Sequence, residues 1–170
     1  MNKISINDFV IDAESPPFII AEAGLNHNGK IEKALEMIKL AKNSGADAIK
    51  FQTFKATEIV SDKSLNFTYK SQGKMITESQ LELFKRCELD RDNFFEIKKA
   101  CDKENILFLS TPQNRSDLDL LLEIGIPAIK VGSDDFTNIP LLKNYSNTGL
   151  PLIVSCGMSN LNEIRQTLSA

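Results

Sequence analysis

The sequence predicts an α/β fold of about five βα units with parallel strands. Three observations support this class. Short runs of Ile, Val, Leu and Phe alternate with amphipathic stretches along the chain. The runs are mostly continuous rather than alternating, as expected of strands that are covered on both faces. Residues 48–52 (AIKFQ) have a partial copy at residues 128–132 (AIKVG), and a glycine stands three positions before each copy, as at the end of a helix.

The predicted elements follow in order along the chain. The first strand leads into a helix over residues 30–43, whose apolar side chains recur on one stripe. The long segment 53–105 predicts a polar loop, a capping box at residues 77–80 and a helix from about Asp92. Later helices end at Gly125, lie around residues 141–145 and begin at Ser159 or Asn160. The five predicted strands are 18–21, 46–51, 106–109, 128–131 and 152–154.

Two architectures fit this order, an open doubly wound sheet and the beginning of a (βα)8 barrel. Residues 23–29 (AGLNHNG), after the first strand, lack the glycine spacing of a dinucleotide-binding loop. A complete barrel takes roughly 250 residues, so these 170 residues are expected to supply about five of its eight units. The chain stops inside an apparent helix, which indicates a part of a longer domain.

The composition is that of an ordinary soluble globular domain, with 42% hydrophobic and 25% charged residues. The net charge of −3 and the scattered positive charges give no indication of nucleic acid or of an anionic membrane. No apolar run reaches membrane length and no secretory leader is visible, so we expect a cytoplasmic protein. The cysteines (Cys87, Cys101 and Cys156) are interpreted as small apolar fillers, and the single histidine, His27, as a residue that braces its loop.

Polar residues follow all five predicted strands, at the sheet edge where α/β folds place their active sites. Lys50 and Lys130 stand on the second and fourth strands and could face one ligand. Because burying an unpaired ammonium is costly, the pair indicates an anion, unless both stems reach water at the strand ends. Glu22 is either a general base or metal-site group, or an acceptor for loop amides. The other candidates at this edge are Gln52, Ser110, Thr111, Ser133, Asp135, Ser155, Cys156 and Gly157.

Five segments in order resemble strand-end motifs of the sialic acid synthase family, which comprises N-acetylneuraminate synthases and their legionaminate, pseudaminate and spore-coat polysaccharide relatives. Each motif is weak alone, but five in register are specific, and the likeness covers nearly the whole chain. The segments are residues 19–29 (IIAEAGLNHNG), 50–52 (KFQ), 108–112 (FLSTP), 129–133 (IKVGS) and 154–158 (VSCGM).

The resemblance implies a TIM (βα)8 barrel that condenses phosphoenolpyruvate with the open-chain aldehyde of an N-acetylated amino sugar such as N-acetylmannosamine. The products would be an N-acetylneuraminate-type nonulosonic acid and phosphate, and a divalent metal, usually Mn²⁺ or Mg²⁺, would assist. By matched position Glu22 would act near the metal and its bound water, and Gln52 would bridge toward the sugar. The residues that would hold phosphoenolpyruvate are Lys50, Thr111, Lys130, Ser133 and Ser155.

Two departures from the family pattern matter. Asp134 and Asp135 replace the usual Gly-Glu, so Asp135 becomes a second catalytic candidate with a shorter reach. The family's metal-binding histidines and its C-terminal antifreeze-like domain, which reaches into the partner subunit of a homodimer, would lie beyond residue 170. We therefore expect no complete metal site and no activity from these residues alone.

The sequence is also compatible with two other functions. The chain could belong to another phosphoenolpyruvate-using or aldolase-type barrel, or could be a truncated, non-catalytic binding partner. The identity of the amino sugar is also open.

Overall fold

The computed structural model describes residues 3–71 and 73–170 and consists of nine strands and seven helices in that part of the chain. In order they are β1 (Ile4–Ile6), β2 (Phe9–Ile11), β3 (Ile20–Gly24), α1 (Ile31–Asn43), β4 (Ala48–Thr53), α2 (Ala56–Ile59), β5 (Asn66–Ser71), β6 (Lys74–Ser79), α3 (Gln80–Cys87), α4 (Arg91–Glu104), β7 (Leu107–Pro112), α5 (Arg115–Ile124), β8 (Ile129–Val131), α6 (Ile139–Ser146), β9 (Leu152–Val154) and α7 (Leu161–Ser169).

Five strands form the parallel part of the structure in the order in which they occur along the chain. Strands β3, β4 and β7 are hydrogen-bonded side by side, and β8 pairs with β9. Strand β7 lies against β8, which joins the two groups. This consecutive order is that of a (βα)8 barrel and confirms the predicted βα repeat. No helix in the described ranges is long and apolar enough to cross a membrane.

Side chains on the two faces of this sheet pack against different elements. Phe51 of β4 and Phe108 of β7 belong to the main core, in which α1, α4, α5 and α6 pack. Ala48 and Leu109 point to the other face and pack with Ile6 of the β1–β2 hairpin. Helices thus cover the outer face and a hairpin closes one end of the inner face. A doubly wound sheet would instead carry helices on both faces.

Three connections from a helix to a strand share one local geometry. Gly45, Asn105 and Gly125 adopt the left-handed conformation, with φ of 82°, 53° and 83°. The buried residue that follows each of them donates its N–H back to the last helical turn, which is the Schellman arrangement. These bonds run from Ala46 to the Ala41 carbonyl (3.1 Å), from Ile106 to Cys101 (3.1 Å) and from Ile126 to Leu121 (3.3 Å).

The predicted strands agree with the observed ones most closely at the end of the chain. The prediction of 152–154 is confirmed, and β8 differs from its prediction by one residue. Strands β3, β4 and β7 extend two or three residues further toward their C-terminal ends than predicted. The added residues include Glu22, Gln52 and Thr111, which are polar and lie on the inner face near the mouth of the barrel.

Residues between β4 and α4 contain more structure than the predicted polar loop. They form α2, the antiparallel β5–β6 hairpin and α3. The capping box predicted at residues 77–80 is wrong, because Thr77 lies in β6 with its hydroxyl 2.9 Å from that of Thr68. Ser79 caps α3 instead and accepts the N–H of Glu82 at 3.5 Å. The helix predicted from about Asp92 begins at Arg91, and Asp90 is its cap.

Replacing Gly125 with alanine should destabilise the protein by about 1–2 kcal/mol, because an L-residue is strained in the left-handed conformation. No atom lies within 4 Å of the added methyl group, so the loss reports backbone strain alone. Urea unfolding followed by circular dichroism measures it. Gly157→Ala is the matched control, since Gly157 has equal space and no positive φ. Equal stability of the two variants would contradict the proposed role of Gly125.

Candidate active site

The C-terminal ends of β4, β7 and β8 surround a cavity of about 490 Å³. Five of the residues predicted from the sequence line it, namely Lys50, Gln52, Thr111, Lys130 and Ser133. Two others, Glu22 and Ser155, contact the lysines of this group. The structure therefore brings together seven of the eight predicted site residues, and only Asp135 stands apart from them.

Lys50 lies almost buried on the inner face of β4, with 11% of its side chain exposed. Its ammonium forms an ion pair with the carboxylate of Glu22, which lies directly opposite on β3 and is 53% exposed. The pair compensates the cost of removing the ammonium from water. This ion pair was not predicted from the sequence, and within the described residues no loop N–H donates to the Glu22 carboxylate.

Lys130 is half-buried on β8 and makes different contacts. Its ammonium donates to the Ser155 hydroxyl at 2.6 Å and to the Val131 carbonyl. Burial lowers the pKa of Lys130, and the positive charge of Lys50 lowers it further, while Glu22 and Asp134 act in the opposite direction. Among the described residues no carboxylate forms a salt bridge with Lys130, so its positive charge remains available to a ligand.

The polar residues beside the lysines divide into two groups because side chains alternate along a strand. Gln52 and Thr111 occupy matching positions on β4 and β7 and face the cavity. Within the described ranges their side chains form no hydrogen bonds with the protein. Ser110 faces outward instead, and its hydroxyl lies 2.7 Å from that of Thr53 in the interior. Ser110 is therefore a structural residue and does not belong to the site.

Asp134 and Asp135 follow β8, and only one of these two carboxylates lies on the cavity. Asp134 lines the cavity, whereas Asp135 is not among the described lining residues. The Asp135 carbonyl accepts the N–H of Asn138 at 3.0 Å, in the turn that leads to α6. Burial raises the pKa of the Asp135 carboxyl, Asp134 adds to this, and a hydrogen bond from the Asn138 side chain opposes it. The turn that caps α6 thus holds Asp135 away from the position expected of a catalytic residue.

The opposite wall of the cavity comes from elements that the sequence did not predict. It consists of Phe54, Ile59, Gln80, Phe84 and Gln113. Helices α2 and α3, which carry part of this wall, lie in the segment that reads as a polar loop. Ser79 followed three residues later by Glu82, before apolar residues at helical spacing, is the signal that could have located α3.

His27 and the cysteines lie outside the cavity lining. His27 is buried, and its Nδ1 accepts the Gly29 N–H at 3.1 Å, as expected of a residue that braces its loop. Burial lowers the pKa of His27. Cys87 and Cys101 are buried, as predicted for apolar fillers, and burial raises the pKa of Cys101 to about 12. Cys156 is exposed, so that interpretation is wrong for it.

Candidate metal ligands are scattered in the part of the chain that the structure describes. Across residues 3–71 and 73–170, His, Cys, Asp and Glu side chains do not gather in any group of three. Glu22, which the resemblance places near the metal, is engaged by Lys50. A metal at this cavity would need ligands other than those described.

Comparison with known proteins identifies the relatives of this chain. The model of the NeuB family matches residues 37–170. The chain is 42% identical over 164 residues to an uncharacterised protein of Methanocaldococcus jannaschii, covering 96% of this chain and 44% of that protein. It is 42% identical over 151 residues to the N,N'-diacetyllegionaminic acid synthase of Campylobacter jejuni, covering 89% of this chain and 45% of the synthase. The chain therefore spans less than half the length of these two relatives.

A solved structure supports the fold. The N-acetylneuraminic acid synthetase of Leptospira borgpetersenii, crystallised with citrate, superposes with a TM-score of 0.86 at 35% identity, covering 99% of this chain and 54% of that one. The predicted TIM-barrel class is thereby confirmed, with five βα units present in this chain.

Lys130 should titrate at a lower pH than an ordinary lysine, whose pKa is about 10.4. Nuclear magnetic resonance of the lysine side chains measures this. In the Lys50→Gln variant the pKa of Lys130 should rise, because a neighbouring positive charge is removed and Glu22 is released. Lys99→Gln, an exposed change on α4, is the control and should have no effect. An unchanged Lys130 titration in the Lys50→Gln variant would show that the two ammonium groups do not interact.

Proposed function

The chain belongs to the NeuB family, and from that premise we propose that it is part of a nonulosonic (sialic) acid synthase. The proposed reaction joins the methylene carbon of phosphoenolpyruvate to the aldehyde carbon of an open-chain N-acetylated amino sugar. One water molecule is consumed as the bond between phosphorus and the enol oxygen or between that oxygen and carbon 2 breaks, the aldehyde oxygen takes up a proton, phosphate is released and an N-acetylneuraminate-type acid is formed.

The single observation that carries this proposal is the placement of Lys50 and Lys130 on one cavity. Phosphoenolpyruvate bears a carboxylate and a phosphate, so it offers negative charge to two cations at once. Lys50 is neutralised by Glu22, whereas Lys130 is held by a hydroxyl and a carbonyl and keeps its charge. We infer that Lys130 supplies the larger attraction for the anion. Unpaired hydroxyl and amide groups of Thr111, Ser133 and Gln52 supply directional hydrogen bonds.

Glu22 is the candidate for proton transfer in this scheme. Its carboxylate is half-exposed at the end of β3 and contacts the ammonium of Lys50. An anion that binds Lys50 would compete for that ammonium and free the carboxylate to accept a proton. Asp134 lies on the same cavity and is the second carboxylate available there. Asp135 remains a candidate only if the turn before α6 rearranges.

The remaining parts of the proposal concern groups outside the described residues. The Mn²⁺ or Mg²⁺ implied by the resemblance would polarise the sugar aldehyde when bound, and it would take its ligands from elsewhere. We propose that histidines on further barrel strands supply them, that an antifreeze-like domain is also present, and that the complete protein is a homodimer. The relatives are more than twice as long as the segment they share with this chain, which leaves room for further strands and a further domain.

Lys130→Ala and Lys50→Ala should each weaken phosphoenolpyruvate binding by about 1.5–3 kcal/mol, because each removes a charge-assisted hydrogen bond. Isothermal titration calorimetry measures the affinity. Lys99→Ala, which removes an exposed lysine of α4, is the control for general electrostatic effects. If both site variants bound the ligand as tightly as the parent, the cavity would not be the anion site.

Phosphate release should require phosphoenolpyruvate, the amino sugar and a divalent metal together, in a protein that contains the complete barrel. The present residues alone should bind phosphoenolpyruvate without releasing phosphate, because they offer no complete metal site. In the complete protein, Glu22→Gln should lower kcat by about 100-fold or more, as expected for loss of a general base. A phosphate-release assay tests both statements, and release without the sugar would contradict the proposed reaction.

A further inference from the structure

Residues 112–114 connect β7 to α5 and lie directly beside the cavity, which Thr111 and Gln113 line. The ladder between β4 and β7 ends at the pair of Thr53 and Pro112. One more backbone bond follows it, from the Gln113 N–H to the Thr53 carbonyl at 3.1 Å. Past this bond the sheet no longer holds the chain, and side chains of two helices contact the connection instead.

Tyr145 of α6 contacts the connection from one side. Its side chain is fully buried, and its hydroxyl lies 3.2 Å from the Pro112 carbonyl and 3.5 Å from the Asn114 carbonyl. Burial raises the pKa of Tyr145, and the carboxylates of Asp135 and Asp117 raise it further. The hydroxyl therefore keeps its proton and donates it to the connection, because carbonyl oxygens can only accept.

Glu58 of α2 contacts the connection from the other side. Its carboxylate accepts the side-chain N–H of Asn114 at 2.5 Å. Asn114 is also the cap of α5, because its side-chain oxygen accepts the Asp117 N–H at 3.1 Å. The Asn114 amide is thus bonded through both its nitrogen and its oxygen, so its position depends on α2 as well as on α5.

We propose that Tyr145 and Glu58 are positioning residues of the anion site, because they hold residues 112–114 from two sides. The Thr111 hydroxyl and the Gln113 amide are thereby fixed at the cavity. Neither Tyr145 nor Glu58 is among the described lining residues, so each acts through the connection and not through the ligand. This inference rests on the proposed function. Without the two contacts the connection would occupy several positions, and ordering it on binding would cost conformational entropy.

The test measures phosphoenolpyruvate affinity by isothermal titration calorimetry and stability by urea unfolding in the same variants. Tyr145→Phe keeps the buried ring and removes only the hydroxyl, so we expect about three- to tenfold weaker binding, the range of one hydrogen bond. Tyr69→Phe, which removes a hydroxyl bonded to Glu78 in the β5–β6 hairpin, is the matched control and should bind as the parent does. Ile38→Val, a change in the main core, should lower stability without changing the affinity.

Two variants of Glu58 separate its hydrogen bond from its charge. Glu58→Gln removes the charge and keeps an oxygen that can accept the Asn114 N–H, whereas Glu58→Ala removes both. We expect Glu58→Gln to bind phosphoenolpyruvate within about twofold of the parent, and Glu58→Ala to bind it about three- to tenfold more weakly.

The same measurements distinguish the possible failures. If Tyr145→Phe and Glu58→Ala bind phosphoenolpyruvate as tightly as the parent, or if Ile38→Val weakens binding as much as they do, the positioning role is wrong and the anion site stands. Equal losses in Glu58→Gln and Glu58→Ala would assign the effect to charge and overturn the role of the hydrogen bond. If the parent protein does not bind phosphoenolpyruvate, the proposed function itself fails, and this inference fails with it.

Discussion

Two ammonium groups on the inner face of a parallel sheet are the constraint on which this structure depends. Each must be compensated, because a buried unpaired charge is costly. Lys50 is compensated by an ion pair with Glu22, and Lys130 by hydrogen bonds to a hydroxyl and a carbonyl, while burial lowers the pKa of Lys130. The two solutions are unequal, because Lys50 contacts a carboxylate and Lys130, among the described residues, contacts only neutral oxygen atoms.

The register of the strands determines where the ammonium groups of Lys50 and Lys130 lie. The left-handed residues that end the helices, such as Gly45 and Gly125, determine where the next strand begins and hence which side chains face inward. Ala48 then faces the hairpin that closes one end of the inner face, and Lys50 and Gln52 face the cavity at the other end. A shift of one residue would exchange these side chains with those of the main core.

The sequence predicted the strands and the polar residues behind them because apolar runs and helix-ending glycines are local signals. It predicted C-terminal ends for β3, β4 and β7 that are two or three residues too early. The last residues of these strands that face inward are polar and interrupt the apolar runs. Helix α2 is too short to show periodicity, and the mostly exposed β5–β6 hairpin has no continuous apolar run. The wall of the cavity that α2 and α3 form was therefore not predicted either. Asp135 does not line the cavity with Asp134, because it lies in the turn before α6, where its carbonyl accepts the N–H of Asn138.

A crystal structure with bound phosphoenolpyruvate tests the central claim most directly, that Lys50 and Lys130 hold one anion between them. We expect a single ligand in the cavity, with oxygen atoms about 2.7–2.9 Å from both ammonium groups, as in charge-assisted hydrogen bonds. We also expect the ion pair between Lys50 and Glu22 to lengthen or break when the ligand binds. A ligand that contacts neither lysine, or that binds elsewhere while the cavity stays empty, would show that the two lysines do not form the anion site.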